Sequence, residues 1–435
     1  GQEIELDELQ KTAVYQAVQN GVTIITGGPG TGKTTTINTI LQVFEQEGLD
    51  ILLAAPTGRA AKRMSETTGW EAQTIHRLLE INGGVSEGDT QGAMHFERNE
   101  KQPLEADVVI IDEFSMVDIY LMNALLRAIV PGTRLIIVGD VNQLPSVGPG
   151  NVLKDMIQAE FCSVVRLHRI FRQAAESQIV MNAHRINSGE EISLENASPD
   201  FMHLERKDSA SVINVVVQLI MQKLPPHVDA SPYDIQVLTP TRKGELGVEH
   251  LNQVLQQYMN PADAGKVERE FHGVLFREKD KVMQIKNDYQ IRWTKKTSLG
   301  DVYEEGTGVF NGDTGIIREI IPVAEQVVVE FEEGKMVEYE YSQMDEMELA
   351  YAITIHKSQG SEYPAIVLPV LGGPKMLLGR NLLYTAVTRA KKCVTTVGSS
   401  RVIQGMIHNV NEQKRFSSLC QRIKEMEEED AELNH

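Results

Sequence analysis

The chain has 435 residues, too many for one ordinary hydrophobic core, so its length indicates two to four domains. Its hydrophobic content of 41% and charged content of 24% are ordinary for a globular protein, and no apolar run reaches the roughly 18 residues that a membrane-spanning helix needs. The formal charge of −19 argues against general nucleic-acid binding, but a large enzyme can keep one binding groove while its other faces stay acidic.

The cysteines and the chain ends add little chemistry. Cys162, Cys393 and Cys420 are scattered and form no C-x-x-C pair, which argues against a disulfide framework and a zinc site and favours a reducing cytoplasm. The opening GQEIELDELQ carries no basic-then-apolar signal. Part of the acidic excess lies in the last residues, KEMEEEDAELNH, which we interpret as a solvated helix end or a tail.

The first third of the chain alternates short apolar runs with helical stretches. Strands are predicted at 22–26, 51–56, 107–112 and 134–140, and helices near 34–46, 58–67 and 116–129. This alternation is typical of a doubly wound parallel sheet, which binds ligands at the carboxyl ends of its strands. Residues 81–103 interrupt the pattern with polar, turn-rich sequence, and they predict either a small hairpin or a disordered loop.

A second α/β pattern begins near Val164. Buried strands are predicted at 234–242, 363–370 and 392–398. Between the first two, residues 271–344 contain short alternating strands with hairpin signals at NGD (311–313) and EEGK (332–335). We therefore predict a small β-barrel inserted into the second α/β domain.

The stretch GGPGTGKT follows the first predicted strand and opens a helix, and it fits G-x-x-x-x-G-K-[ST] at every fixed position. Glycines let backbone N–H groups close around phosphates at a helix N-terminus. Lys33 is expected to reach the β and γ phosphates, and Thr34 to bind Mg²⁺. The predicted nucleotide-binding residues here are Gly28, Pro29, Gly30, Thr31, Gly32, Lys33, Thr34 and Thr35.

Two later strand ends supply polar side chains to the same edge of the sheet. Asp112 is placed to hold Mg²⁺, and Glu113 to orient or deprotonate an attacking water. Gln143, after the next strand, can bridge the γ-phosphate side of the site to the far side of its loop. An ordinary helix N-cap and a polar turn are the alternatives for these two segments. A glutamate beside the metal carboxylate favours hydrolysis over transfer to a small substrate.

These blocks resemble the superfamily 1 helicases, and specifically the 5′-to-3′ branch of the RecD/TraA type. The further blocks that carry the resemblance are APTGRAAKRM (55–64), TIHRLL (74–79), LHRIFRQAAES (167–177), YAITIHKSQGSEY (351–363) and LLYTAVTRAKK (382–392). They cover nearly the whole chain in the order of the family. The resemblance implies an ATP-dependent helicase with two RecA-like domains, moving 5′ to 3′ on single-stranded DNA in DNA repair or recombination.

The same resemblance assigns further residues to the nucleotide. Arg172 and Arg389 match the family's arginine fingers, which the second domain supplies to the phosphate loop of the first. A guanidinium there spreads charge over the γ-phosphoryl oxygens. Gln10 matches an adenine-reading glutamine, which implies a preference for ATP, and Glu362 matches a family position near the nucleotide.

A translocating enzyme has to hold a single strand without reading its sequence, so it contacts phosphates and stacks on bases. Candidate residues lie at strand ends in both domains, where a capped helix or turn is the alternative role for each one. In the first domain they are Thr57, Arg59, Lys62, Arg63, His76 and Arg77; in the second they are Thr239, Pro240, Thr241, Arg242, Thr354, His356, Lys357 and Ser358.

These assignments give a domain map: 1–165 forms the first RecA-like domain, 166–270 with 345–425 the second, and 426–435 an acidic tail. The resemblance makes 81–103 a pin at the duplex junction and 271–344 an SH3-like barrel. In its loop 291–301, Arg292, Trp293, Lys295 and Lys296 either contact a strand or remain solvated.

Larger relatives carry an N-terminal region before this core. The chain begins nine residues before Gln10, so we expect a truncated or minimal form, monomeric and bound to single-stranded DNA and its junction with duplex. Two alternatives stay open at this point: a superfamily 1 helicase acting on RNA, and a nucleotide-switched scaffold or loader that binds DNA without unwinding it.

Overall fold

The computed structural model describes residues 5–80, 96–410 and 415–433. The chain divides into two compact units. The first is built from the residues up to Glu190, from Gln359–Ser361 and from the chain after Asn409; the second is built from Glu191–Ser358 and Glu362–Asn409. In the described parts of the chain, no helix is both long and apolar enough to cross a lipid bilayer.

The first unit is an α/β layer structure around a parallel sheet. Within the described residues the sheet has six strands, in the spatial order β3-β2-β4-β5-β1-β6. The strands are β1 (Val22–Gly27), β2 (Ile51–Ala55), β3 (Ala72–Thr74), β4 (Val108–Ile111), β5 (Arg134–Gly139) and β6 (Ser163–Leu167). The four predicted strands are confirmed to within a residue or two.

The central strands of this sheet are buried on both faces, which explains their continuous apolar sequence. In β4, Val108 and Ile110 belong to one hydrophobic cluster and Val109 and Ile111 to another. Successive side chains of a strand point to opposite faces, so the two clusters are the two helix-covered sides of the sheet.

Several helices of the first unit begin where the sequence supplies a capping side chain. Asp7 and Gln10 form a reciprocal capping box at the first helix, and Thr57 and Asp118 cap the third and fifth. The helices are α1 (Glu8–Gln19), α2 (Lys33–Gln46), α3 (Gly58–Thr68), α4 (Ile75–Leu78), α5 (Ile119–Ala128), α6 (Val152–Ala159), α7 (Arg172–Ala175) and α8 (Gln178–Ser188).

The second unit also contains a parallel sheet, in the order β18-β8-β19-β20-β7 for the residues described. Its strands are β7 (Phe201–Glu205), β8 (Gln236–Thr239), β18 (Ala352–Thr354), β19 (Tyr363–Val370) and β20 (Ala390–Gly398). Its helices are α9 (Ser209–Gln218), α10 (Leu224–Val228), α11 (Val248–Met259), α12 (Arg380–Val387) and α13 (Ser400–His408). The predicted second α/β domain is confirmed.

An antiparallel β domain is inserted between β8 and β18. Its main sheet has the order β13-β12-β16-β15-β14-β11-β17 in the described chain, and a two-stranded ribbon of β9 and β10 precedes it. The strands are β9 (Glu268–Phe271), β10 (Val274–Arg277), β11 (Lys281–Gln284), β12 (Asp288–Lys296), β13 (Val302–Val309), β14 (Thr314–Ile321), β15 (Gln326–Phe331), β16 (Met336–Glu340) and β17 (Met347–Leu349).

The inserted domain shares one hydrophobic core with the α/β part of its unit, which includes Val237 of β8 and Val327 of β15. A buried carboxylate, Asp280, lies at this junction. It accepts hydrogen bonds from Gln256 and Asn260 of the α11 region, from the Tyr351 hydroxyl and from the Arg277 backbone N–H. Burial raises the pKa of Asp280, and the four donors oppose that rise.

The last helix, α14 (Leu419–Leu433), belongs to the first unit and not to the second. Leu419 and Ile423 pack against the core beneath α6. Just before the helix, the Arg415 guanidinium donates to the carbonyls of Ser146, Gly148 and Gly150 at 2.6–2.8 Å. The prediction that 345–425 belongs to the second domain is therefore wrong for this stretch, and the acidic end up to Leu433 is helical.

Two predicted boundaries also differ from the structure. The boundary at 165 falls inside β6, which pairs with β1, so the first unit extends to Glu190. The inserted sheet spans Lys281–Leu349 and not 271–344. Of the predicted pin at 81–103, residues 81–95 lie outside the described residues, and 96–103 contain an antiparallel bridge between Asn99 and Gln102.

Candidate nucleotide site and nucleic-acid track

The phosphate loop connects β1 to α2, as the sequence predicted. Gly30 and Gly32 have φ of 72° and 84°, a left-handed conformation that favours glycine. Thr31 Oγ1 donates to Gly28 O at 2.7 Å and closes the loop on itself. The Lys33 ammonium donates to the carbonyls of Gly27 (2.5 Å) and Gly28 (2.9 Å). Lys33 thus lies folded over the loop, at the helix N-terminus where phosphates bind.

Three side chains or backbone groups from outside the loop hold it in place. The buried Gln10 amide donates to Gly32 O at 3.2 Å, while its oxygen completes the α1 cap. The Phe171 backbone N–H donates to Gly30 O at 3.2 Å. His184 Nε2 of α8 donates to Pro29 O at 2.8 Å. Of these three residues, the sequence predicted only Gln10 to lie at the nucleotide site. His184 could not be predicted, because an isolated histidine on a helix belongs to no motif.

Gln10, expected to read adenine, is already engaged by Gly32 and by the cap of α1. A Cβ at Gly32 would collide with the Gln10 amide and the Phe171 ring. Gln10 lies beside the phosphate loop, a position that is compatible with the expected role in adenine recognition. Its side chain also has a structural role, because it joins the start of α1 to the loop.

The predicted catalytic carboxylates follow β4 directly. The Glu113 backbone is left-handed, with φ 53° and ψ 38°, a strained conformation for a residue with a side chain. Its N–H donates to Asp112 Oδ1 at 2.7 Å. Burial and the neighbouring Glu113 charge raise the pKa of Asp112, while Arg63 and Lys33 lower it. Strain of this kind is found at functional sites, because it fixes side chains in one direction.

Glu113 does not extend into solvent: its Oε1 accepts a hydrogen bond from the Arg63 guanidinium. Arg63 was predicted to bind nucleic acid, so the structure brings a predicted catalytic residue and a predicted strand contact together. Gln143 lies in the turn after β5, with its backbone N–H on Asp140 O. Its buried Oε1 has no hydrogen-bond partner among the described residues, as expected for a group that meets a ligand.

The two expected arginine fingers lie in different units. Arg172 is exposed at the start of α7 in the first unit, the unit that holds the phosphate loop. The expectation that both fingers come from the second domain is therefore wrong for Arg172. Arg389 belongs to the second unit and is 2% exposed; its guanidinium donates to Thr385 O and Thr388 Oγ1. Glu362 is exposed, 3.7 Å from the ammonium of Lys391.

In the first unit, the candidate strand contacts surround the start of α3 and the short α4. Thr57 caps α3 by accepting the Ala60 N–H at 3.2 Å, and Arg59 donates to Ser361 Oγ at 3.1 Å. Lys62 and Arg77 are exposed. Burial lowers the pKa of His76, against the opposing charge of Asp118, and so favours the neutral imidazole.

In the second unit, the structure places two candidate segments side by side. Thr239 of β8 pairs in register with Thr354 of β18, so the segments that follow both strands emerge at one edge. Thr239 and Ser358 are fully buried, and their hydroxyls donate to Leu246 O and Ile355 O. The prediction that these two hydroxyls contact a phosphate directly is therefore wrong for this conformation. The candidates of this edge that are exposed are His356 and Arg242.

The two candidate cations of this edge already have partners. The guanidinium of Arg242 forms a two-pronged pair with the carboxylate of Glu348, and the Lys357 ammonium donates to Asn311 of the inserted domain. Burial lowers the pKa of Lys357. Pro240 and Thr241 lie half-buried in the turn between β8 and α11.

Trp293 is a core residue rather than a stacking platform. It lies in β12, 9% exposed, and the Lys335 ammonium covers its ring at 4.9 Å from the centroid. A Cβ at Gly306 of β13 would collide with this ring, so the tryptophan fills space that a glycine leaves. Most of the predicted loop 291–301 is thus part of β12, which ends at Lys296. The solvated part of that loop begins after Lys296.

The fold and the site together are those of a P-loop nucleotide-binding protein with two parallel-sheet domains. Family models agree along the chain: an AAA domain matches residues 10–149, the SH3 domain of ATP-dependent RecD-like DNA helicases matches 251–331, and a UvrD-like helicase C-terminal domain matches 349–397. The SH3 match supports the prediction that the inserted β domain is SH3-like.

Comparison with similar proteins identifies the family within this class. The chain is 34% identical to the ATP-dependent RecD2 DNA helicase of Deinococcus radiodurans over 96% of its own length and 52% of the relative's. It is 30% identical to the RecBCD enzyme subunit RecD of Mycolicibacterium smegmatis, over 96% of its own length and 75% of the relative's. The chain belongs to the RecD family of helicases. It spans about half of the Deinococcus protein.

Solved structures agree on the fold. A structure of two coordinating Pif1 helicases at forked double-stranded DNA matches with 19% identity, a TM-score of 0.52 and 98% coverage of both chains. Pif1 helicase from Candida albicans matches with 17% identity, a TM-score of 0.50, and 98% and 99% coverage. At these identities the likeness concerns architecture alone.

Proposed function

We propose that this chain is an ATP-dependent DNA helicase that moves 5′ to 3′ on single-stranded DNA and separates the duplex ahead of it. The observation that carries the proposal is the combination of a complete phosphate loop after β1 with a strained Asp112–Glu113 step after β4, a parallel strand of the same sheet. Membership of the RecD family supports DNA as the track, since the Deinococcus relative is named a DNA helicase.

Several residues of the first unit have separate roles in ATP hydrolysis. Lys33, which rests on the carbonyls of Gly27 and Gly28, turns to the β and γ phosphates when a nucleotide binds. Glu113 orients or deprotonates the attacking water. The Gln143 oxygen, which has no hydrogen-bond partner in the part of the chain that the structure describes, meets the γ-phosphate side. Arg389 of the second unit stabilises the transferred group, the role that the resemblance implies for it.

The donor set beside the loop fits magnesium, because the Thr34 hydroxyl and the Asp112 carboxylate are hard oxygen ligands. The ion would be held by these two side chains and would neutralise phosphate charge. A bound cation would also favour the ionised form of Asp112, whose pKa burial now raises.

Adenine selection is assigned to Gln10 and a position near the nucleotide to Glu362, both on the resemblance. The strand is proposed to follow the ends of β2 in the first unit and of β8 and β18 in the second. The same proposal includes the 5′-to-3′ direction of movement, a role in DNA repair or recombination, a monomeric state and a cytoplasmic location. Three free cysteines, Cys162, Cys393 and Cys420, accord with that location.

The proposal is tested by ATP hydrolysis with and without single-stranded DNA. We expect strong stimulation by DNA in the wild-type chain and loss of hydrolysis in Lys33→Ala. The matched control is Lys207→Ala, an exposed lysine of the second unit outside the site, which keeps the wild-type rate. Hydrolysis that no nucleic acid stimulates would contradict the assignment.

The same assay separates the rival functions. Equal lengths of DNA and RNA are compared as stimulators, and a requirement for RNA would replace the DNA track with an RNA track. A loader would respond to duplex ends or partner proteins and would separate no strands.

A further inference from the structure

The contact between Arg63 and Glu113 joins the proposed strand track to the proposed catalytic base. Arg63 lies in the middle of α3, and its guanidinium donates to Glu113 Oε1. The pair is sheltered, since the two side chains keep only 24% and 14% of their exposure. A sheltered, charge-assisted hydrogen bond is stronger than a surface ion pair, because water competes with it less.

This contact affects what the glutamate can do. A carboxylate that accepts a hydrogen bond from a guanidinium is directed toward that group and is less available to accept a proton from water. The backbone strengthens this restraint, because Glu113 is held in a left-handed conformation with its N–H on Asp112. Lys33, whose charge acts on the neighbouring Asp112, rests on the loop carbonyls of Gly27 and Gly28.

Arg63 also faces the edge at which a strand would pass. Residues four apart share a face of a helix, so Arg63 lies on the same face of α3 as Arg59, while Ala60, Ala61 and Met64 turn into the core. The helix follows β2, and ligands of parallel sheets bind beyond the carboxyl ends of the strands. A phosphate diester there would offer the guanidinium two oxygens in the fork geometry that arginine prefers.

We propose that Arg63 is a positioning residue that holds Glu113 away from the attacking water until a phosphate of the single strand draws the guanidinium away. The DNA dependence of hydrolysis then originates in one side chain that has two alternative anionic partners. This inference rests on the proposed function, because it needs Glu113 as the base and a nucleic-acid track along α3.

The test compares ATP hydrolysis without DNA and at saturating single-stranded DNA in Arg63→Gln and the wild type. We expect the DNA-free rate of Arg63→Gln to rise roughly tenfold, which corresponds to about 1.4 kcal/mol in the barrier. The rate at saturating DNA stays near that of the wild type, so the stimulation factor falls by the same amount. More DNA is needed for half-maximal stimulation, because a phosphate contact is lost.

Two further variants make the result specific. Arg63→Lys keeps the positive charge but loses the two-pronged geometry of the guanidinium, so its DNA-free rate is expected between those of the wild type and Arg63→Gln. If Arg63→Gln does not fold, Arg63→Lys provides the test in its place. Arg422→Gln removes an exposed guanidinium of α14 in the same unit, outside the proposed machinery, whose Nε donates to Ser418 Oγ, and leaves both rates unchanged.

The outcomes separate this inference from the proposed function. A wild-type chain without DNA-stimulated hydrolysis overturns both. If the wild type is stimulated but the DNA-free rates of Arg63→Gln and Arg63→Lys stay at or below its level, the proposed function stands and the restraint on Glu113 does not exist. A fall of both rates together would make Arg63 a structural residue.

Discussion

Asp280 offers the sharpest test of how the inserted β domain is joined to its unit. The side chain is fully buried, and both of its oxygens are occupied. Oδ1 accepts from Asn260 Nδ2 at 2.8 Å and from the Tyr351 hydroxyl at 2.7 Å. Oδ2 accepts from Gln256 Nε2 and from the Arg277 N–H, both at 2.7 Å. Asp280→Asn changes one oxygen into an NH₂ group with almost no change in volume.

The cost follows from this geometry. In either orientation of the new amide, its NH₂ group faces two donors, so two hydrogen bonds to a charged group are lost, at about 1.5–3 kcal/mol each. Rotation of the Tyr351 hydroxyl recovers part of this loss, which leaves a destabilisation of about 3 kcal/mol. For a unit of this size that corresponds to a fall in Tm of roughly 6–12 °C.

Tryptophan fluorescence makes the measurement local. The chain has two tryptophans, and a Trp70→Phe background leaves Trp293 of β12 as the reporter for the inserted domain. Asp301→Asn, at an exposed position of the same domain, is the matched control and is expected to change stability by less than about 0.5 kcal/mol. A shift of Asp280→Asn no larger than that of the control would refute the proposed junction.

Three other substitutions follow from the site. Gln10→Ala removes the side-chain acceptor of the Asp7 N–H in the α1 capping box and the contact with Gly32, so it is expected to raise the KM for ATP and to reduce discrimination against GTP, measured by steady-state hydrolysis; unchanged discrimination would remove Gln10 from adenine reading. Arg389→Ala is expected to lower kcat at least 100-fold while DNA affinity, measured by fluorescence anisotropy, is retained; normal turnover would end its assignment as a finger. Arg415→Ala releases the carbonyls of Ser146 and Gly148, so limited proteolysis is expected to remove α14 faster than in the wild type, and equal cleavage rates would show that Arg415 does not anchor the segment.

The elements that the sequence predicted well are those whose signals are local. Buried parallel strands have continuous apolar sequence, so β1, β2, β4 and β5 could be located closely. The phosphate loop and Asp112–Glu113 are contiguous motifs, and their arrangement follows from strands that end at one edge of the sheet.

Contacts between distant residues could not be predicted in the same way. The partnership of Arg63 with Glu113 joins residues 50 positions apart, and a cation in a strand-binding motif suggests a phosphate before it suggests a carboxylate. Asp280 and His184 are single polar residues without a motif, so only the fold shows what they bind.

The unit boundary failed for a related reason. β6 is short and partly polar, and it completes the first sheet by pairing with β1 across more than a hundred residues. The sequence therefore placed the segment that carries Arg172 in the second domain, although it closes over the phosphate loop through Phe171. The C-terminal helix was similarly misplaced, because its apolar contacts, Leu419 and Ile423, are few and are followed by an acidic run that begins at Glu425.

The central claim is tested most directly by strand separation with duplexes that carry one single-stranded tail. Equal duplexes with a 5′ tail, a 3′ tail or no tail are incubated with the chain and ATP, and release of a labelled strand is followed. A 5′-to-3′ helicase opens the 5′-tailed duplex, leaves the other two intact and does nothing when Lys33 is replaced by alanine. Opening of the 3′-tailed duplex alone would contradict the direction, and ATP hydrolysis without opening of any duplex would contradict the helicase itself.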